Sequence, residues 1–123
     1  VSWDLKSDRP IYSQLIEQIE IKICSGIFAP GSKLPSVREL AQEAAVNPNT
    51  MQKALSMLEE HGLLYTNRTS GRFITEDIKM IQQAKQKLAQ EQISEFLEKM
   101  KSLGLNKTET LSIITTMLEE AKK

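Results

Sequence analysis

Residues Asn47 to His61, NPNTMQKALSMLEEH, constrain the fold of this chain more than any other stretch. Asn47 reads as an N-cap, because its short side chain can accept from the unpaired amides of a first helical turn. Pro48 falls at the first helical position, where its missing N–H costs nothing. Gly62 follows as a C-terminal stop. Met51, Leu55 and Leu58, with Ala54, recur at spacings of four and three and make one apolar face. The other face carries Asn49, Gln52, Lys53 and Ser56, amide and ammonium groups with no carboxylate. Such a face can meet base edges in a major groove wide enough to admit a helix. Taken alone, it reads first as the solvated side of an ordinary amphipathic helix.

The neighbours decide between those readings. Ser36-x-x-Glu39 is a capping-box pattern that starts a preceding helix with Val37, Leu40, Ala41 and Ala44 as its core stripe. Ala44-Ala45-Val46 joins it to the next helix through a corner of small residues. Two short helices with a polar outward face on the second describe a helix-turn-helix. After Gly62, Leu63-Leu64-Tyr65 and Arg72-Phe73-Ile74 read as strands around an Asn67–Gly71 turn, a hairpin with a basic, hydroxylated tip. A hairpin that simply caps the core is the alternative.

Composition sets the bounds. The chain has 123 residues, enough for one domain plus an accessory piece, with 40% hydrophobic and 26% charged residues. Sixteen basic and sixteen acidic residues cancel, so only the local pattern speaks for nucleic acid. Ala44 to Leu58 holds one charge, Lys53, and Tyr65 to Thr75 holds two, Arg68 and Arg72, with no acid in either stretch. A single cysteine, Cys24, allows no internal disulfide and reads as a buried thiol. The one histidine, His61, sits at a helix C-terminus, so a zinc cluster or a triad with a second His has nothing to draw on. No apolar run reaches membrane-spanning length and no signal-peptide pattern opens the chain, so a cytoplasmic protein without metal or cofactor is expected.

Upstream, Val1 to Arg9 reads as a polar arm with Trp3 and Leu5 as anchors. Pro10 opens a helix in which Ile11, Leu15, Ile19 and Ile23 recur every four residues, ending near Ser25-Gly26. Pro30-Gly31 fits the centre of a type II turn, and Lys33-Leu34 a short strand.

Together these residues form a resemblance. Gly26-x-x-x-Pro30-Gly31-x-x-Leu34-Pro35-Ser36-x-Arg38-x-Leu40-Ala41, then Val46-Asn47-Pro48-Asn49-Thr50, then Ala54-Leu55-x-x-Leu58-Glu59-x-x-Gly62-Leu63, is similar to the winged helix-turn-helix of the GntR family of bacterial transcription regulators. The match runs over residues 10 to 75, and the short helical tail resembles the YtrA-like subfamily, which carries no large effector domain. The resemblance implies that Arg38 contacts DNA, that Thr50 meets a phosphate, and that the Gly71 backbone approaches the minor groove. Two departures bear on sequence preference: Pro48 and Gln52 stand where many members have Arg, and Thr69 replaces the first wing glycine. The expected DNA-binding set is Arg38, Asn47, Asn49, Thr50, Gln52, Lys53, Arg68, Thr69, Ser70, Gly71 and Arg72. Within it Thr50, Arg68 and Arg72 serve phosphates, while Arg38, Asn49, Gln52 and Lys53 serve base edges, adenine being the expected reading of Asn49 or Gln52.

Asp77 to Leu103 contains no Pro or Gly and reads as one helix of roughly 40 Å. Gly104 stops it, and Asn106 or Thr108 caps a last helix. A lone helical hairpin leaves its stripes uncovered, so Ile81, Leu88, Phe96, Leu97, Met100, Leu111, Ile114, Met117 and Leu118 are expected at a homodimer interface. A monomer with its tail folded back is the alternative. The expected architecture is therefore mostly α: a winged helix-turn-helix domain with a small two-stranded wing over 1–75, then a two-helix dimerisation tail over 76–123. The expected function is a homodimeric regulator, a repressor, reading a two-fold-related operator in double-stranded DNA. A small-molecule effector of unspecified chemistry would have to sit at an interface, given the tail's small volume. A winged-helix protein-interaction module is the other reading. No nucleophile–base pair or phosphate-cradling glycine loop can be assembled, which argues against an enzyme.

Overall fold

In the computed structural model, which describes residues 3–122, the elements follow the sequence periodicities closely. Five helices, α1 (Ile11–Cys24), α2 (Val37–Ala44), α3 (Pro48–Glu60), α4 (Ile78–Ser102) and α5 (Lys107–Ala121), accompany two strands, β1 (Leu64–Asn67) and β2 (Gly71–Ile74). The chain divides into two compact units, Val1–Lys85 and Gln86–Lys123.

The first unit is built around α3, which packs against α1, α2 and β1. Leu15, Ile19, Leu40, Met51, Ala54, Leu55, Leu58 and Ile74 are all 0% exposed there, and each large apolar side chain so buried stabilises the fold by roughly 1.5–3 kcal/mol. β1 and β2 pair antiparallel in the register Leu64–Ile74, Tyr65–Phe73, Thr66–Arg72 and Asn67–Gly71. Lys33 adds a single bridge to Phe73 in place of the expected short strand. Ser32 donates its amide to Ala29 across Pro30-Gly31, with Gly31 at φ +75°, as a type II turn requires.

The helix ends explain the boundaries. Asn47 accepts from the Asn49 amide at 2.8 Å, and Ser36 from the Glu39 amide at 3.1 Å. A complete capping box closes at α5, where Asn106 and Glu109 each accept the other's amide. At the end of α3, Leu63 donates to Leu58 and Gly62 to Glu59, a Schellman closure that needs the left-handed φ of +83° found at Gly62. Leu105 and Gly104 close α4 the same way onto Met100 and Lys101.

The N-terminal arm is held by more than its two apolar anchors; Val1 and Ser2 lie outside the described residues. Gln14, 2% exposed, accepts from the Lys6 amide at 2.6 Å and donates to the Lys6 and Arg9 carbonyls. Lys22 Nζ lies 4.3 Å from the centre of the Trp3 ring. Cys24 is half-buried and donates to the Ile81 carbonyl. Burial pushes its thiol pKa up, helped by Glu20 and opposed by Lys85, which disfavours the reactive thiolate.

One interface expectation is corrected here. Ile81 is 6% exposed and belongs to the core of the first unit, so this side chain completes that core and is not available to a partner.

In the second unit α4 and α5 meet beside the Gly104 turn, where Leu97, Lys101 and Thr110 line a common cavity. Thr110 is the unit's buried residue, at 3% exposed, while Leu103, Leu111, Met117 and Leu118 are each more than 60% exposed.

Candidate nucleic-acid interface

α3 owes its orientation to its own sequence: the apolar stripe Met51, Ala54, Leu55 and Leu58 is buried, which turns Asn49, Gln52 and Lys53 outward, all exposed. Arg38 stands in the first turn of α2, exposed and unpaired among the described residues. Thr50 is half-buried beside the α3 N-terminus, and Asn47 is exposed but commits its Oδ1 to the helix cap. Arg38, Asn49, Gln52 and Lys53 are thus brought out on one helix-turn-helix, with donors in excess and no carboxylate interleaved between Ala44 and Leu58.

The wing tip is ordered by Asn67, whose Oδ1 accepts from the Thr69 amide at 3.1 Å and the Thr69 hydroxyl at 2.9 Å. That Asx-type turn lifts Arg68 and Thr69 into solvent, with Ser70 half-buried and Gly71 opening β2 at φ +105°. The Tyr65 and Phe73 rings stack at 5.6 Å between centroids on one face of the hairpin.

The other face bears on α3. An open groove of about 670 Å3 runs between the wing and the helix-turn-helix, with Lys33, Ser36, Glu39, Gln52, Thr66, Gly71 and Arg72 among its lining residues. Thr66 donates its hydroxyl to the Glu59 carboxylate, and Arg72 donates to Gln52 Oε1 at 3.4 Å.

Arg72 therefore does not stand out in solvent like Arg68; it is turned toward α3. Sequence reasoning missed Thr66 and Glu59 altogether. The signal was present: residues two apart on a strand share a face, so Thr66 follows Leu64 and Arg72 precedes Ile74 on the side that buries both.

Of the residues expected at a dimer interface, Phe96, Leu111, Met117 and Leu118 are exposed, and Leu88, Leu97, Met100 and Ile114 are half-buried. Ile93, Leu103 and Ile113, outside the expected interface set, are also exposed. No helix among the described residues is long and apolar enough to cross a membrane.

Comparison with known families matches residues 11–74 to bacterial regulatory proteins of the gntR family. The chain is 42% identical over 114 residues to the uncharacterised HTH-type transcriptional regulator YhcF of Bacillus subtilis, covering 93% of this chain and 94% of that one. It is 41% identical over 95 residues to the HTH-type transcriptional repressor YtrA of the same organism, covering 76% and 73%. Among solved structures, a GntR family transcriptional regulator from Listeria monocytogenes superposes with a TM-score of 0.83 at 37% identity, covering 91% of this chain and 98% of that one. The DNA-binding domain of AraR in complex with operator ORE1 superposes with a TM-score of 0.52 at 34% identity, covering 61% and 94%.

Proposed function

The chain belongs to the gntR family of bacterial regulatory proteins, with a YtrA-like architecture, and from that premise we propose that it is a homodimeric repressor. In this reading it works in the cytoplasm and recognises a two-fold-related operator through α3 and the wing. The observation that carries the proposal is the acid-free, exposed face of Asn49, Gln52 and Lys53 beside the Arg68 wing tip. Amides and ammonium at that spacing match the acceptor-rich major groove, and a guanidinium at a hairpin tip matches phosphate. The operator complex of the similar AraR domain and the repressor name of YtrA support the assignment.

Dimerisation is the second half of the proposal. Leu111, Met117 and Leu118, at 63%, 63% and 61% exposed, belong to a tail that buries little within itself, and a second copy is the cover that symmetry supplies. Two recognition helices in a two-fold dimer address half-sites about 34–36 Å apart, or multiples of that spacing. A small-molecule effector would sit at the dimer or domain interface, since Thr110 is the one buried residue of the second unit among the described residues.

The deciding experiment selects duplexes from a randomised pool with the full chain, then measures the winner by fluorescence anisotropy against scrambled duplex across salt. A selected palindrome, protected as two half-sites and bound far above the scrambled control, is the expected result. Weak, equal binding to both duplexes would overturn the proposal in favour of a protein-interaction module.

A further inference from the structure

Arg72 and Thr66 are register partners in the wing, and both point at one side of α3. Thr66 engages Glu59, and Arg72 engages Gln52; Gln52 and Glu59 lie seven residues apart, so they fall on the same face two turns from one another. A single strand pair therefore grips the recognition helix at two points. Arg72 Nε is buried and has no hydrogen-bond partner among the described residues, so the stem of this arginine is packed into the groove and does not reach outward like that of Arg68.

We infer that Arg72 is a positioning residue that sets the orientation of the Gln52 carboxamide, so that Gln52 reads guanine. The inference rests on the DNA-reading role proposed above and adds the base that one side chain recognises. A guanidinium has five donors and no acceptor, so the carboxamide must turn its oxygen toward Arg72. The Nε2 hydrogens then face away from the wing. Bidentate pairing with adenine needs the amide oxygen to accept from N6 while the amide nitrogen donates to N7; guanine shows two acceptors, N7 and O6, in the major groove. With Oε1 turned toward Arg72, the edge of the Gln52 carboxamide that faces away from the wing is the Nε2 donor, and the base it suits is one whose major-groove edge offers acceptors. Guanine matches this pattern. The adenine reading expected for Gln52 from the sequence is replaced by this one.

The test uses the duplex selected by the wild-type chain, its single base-pair variants, and four proteins: wild type, Gln52→Ala, Arg72→Met and the double variant. Arg72→Met keeps an unbranched stem in the groove. The expected result is a loss of about tenfold for Arg72→Met on the selected duplex, arising at the same guanine that Gln52→Ala no longer distinguishes. The double variant should bind no more weakly than the weaker single variant, and the slope of log affinity against log salt should not change.

A phosphate contact would behave otherwise: the loss would be uniform across base variants and the slope would fall by about one, which overturns the inference. Losses that multiply in the double variant, or a Gln52-dependent preference for adenine, overturn it too. Should Arg72→Met fail to fold, Gln52→Glu carries the test. Its carboxylate keeps the Arg72 contact and the melting temperature but has no hydrogens to donate, so the guanine preference should vanish, and its survival would overturn the inference. A wild-type chain that prefers no duplex defeats the regulator proposal itself and needs no variant to be recognised.

Discussion

Val46 donates its amide to the carbonyl of Ala41 at 2.9 Å, and the chain makes that closure by passing through Ala45 at φ 56° and ψ 47°. Ala45 is the one non-glycine residue in the left-handed region among the described residues. The helix-turn-helix corner is therefore closed under local strain, since a Cβ in that region crowds the following carbonyl. Ala45 is exposed, so a smaller residue forfeits no packing. Ala45→Gly should raise stability by about 1 kcal/mol, read as a higher urea midpoint at unchanged slope. An unaltered or lower midpoint would contradict the strain.

The α3 terminus predicts the opposite sign. Gly62 has φ +83°, and a Cβ built there would stand 2.7 Å from Met80 Sδ. The thioether is flexible enough to withdraw, so the backbone conformation dominates the cost. Gly62→Ala should destabilise by about 1–2 kcal/mol, and Gly62→Asn by less, because Asn tolerates the left-handed region better. Equal losses for the two variants, measured by thermal denaturation, would assign the cost to the Met80 contact instead.

Gln14 ties the arm to α1 through its contacts with Lys6 and Arg9. Gln14→Leu fills similar space but strands the Lys6 amide and carbonyl, and should cost about 1–3 kcal/mol. Hydrogen exchange at the Lys6 amide should accelerate well beyond what global destabilisation explains. Unchanged protection would show that the arm is held by its apolar anchors alone.

Lys22 gives a pH dependence. Burial pushes its ammonium below the ordinary value of 10.5, with Glu43 partly restoring it. The folded chain therefore holds this proton less tightly than the unfolded chain does. The resulting penalty is fully present at pH values below the lowered folded pKa and is relieved as pH rises from there to 10.5. Relative to Lys22→Met, the wild type should gain stability across that alkaline window, and parallel stability curves would remove Lys22 as the cause.

The tail supplies a fifth test. Leu111→Glu with Leu118→Glu places charge at two exposed positions of α5, where it costs the folded monomer little. Sedimentation should show the wild type at twice the chain mass and the double variant at the chain mass. The variant should also lose most of its operator affinity, because each half-site is then bound alone. A dimer surviving both substitutions would place the interface elsewhere.

Much of the winged unit was legible in the residues because its rules are local. Caps at Ser36, Asn47 and Asn106, stops at Gly62 and Gly104, and the period-four stripe of α1 each act within a turn or two of the chain. The outward set Asn49, Gln52 and Lys53 followed from the same periodicity. Gln14 did not, because a polar residue on an apolar helix looks like solvent until an arm with unpaired backbone groups folds over it. Nor did Ile81, whose place in the stripe of α4 says that it is covered but not by what.

By itself, then, the sequence determined which residues are helical, where each helix ends, and which face of α3 is free to meet a ligand. All of that depends on backbone hydrogen bonds between residues a few positions apart. Only the tertiary structure decided that Arg72 turns inward to Gln52, that Thr66 holds Glu59, and that the first turns of α4 belong to the winged core. Those outcomes depend on how far apart two elements stand once packed, and contacts of that kind have no signature in local spacing.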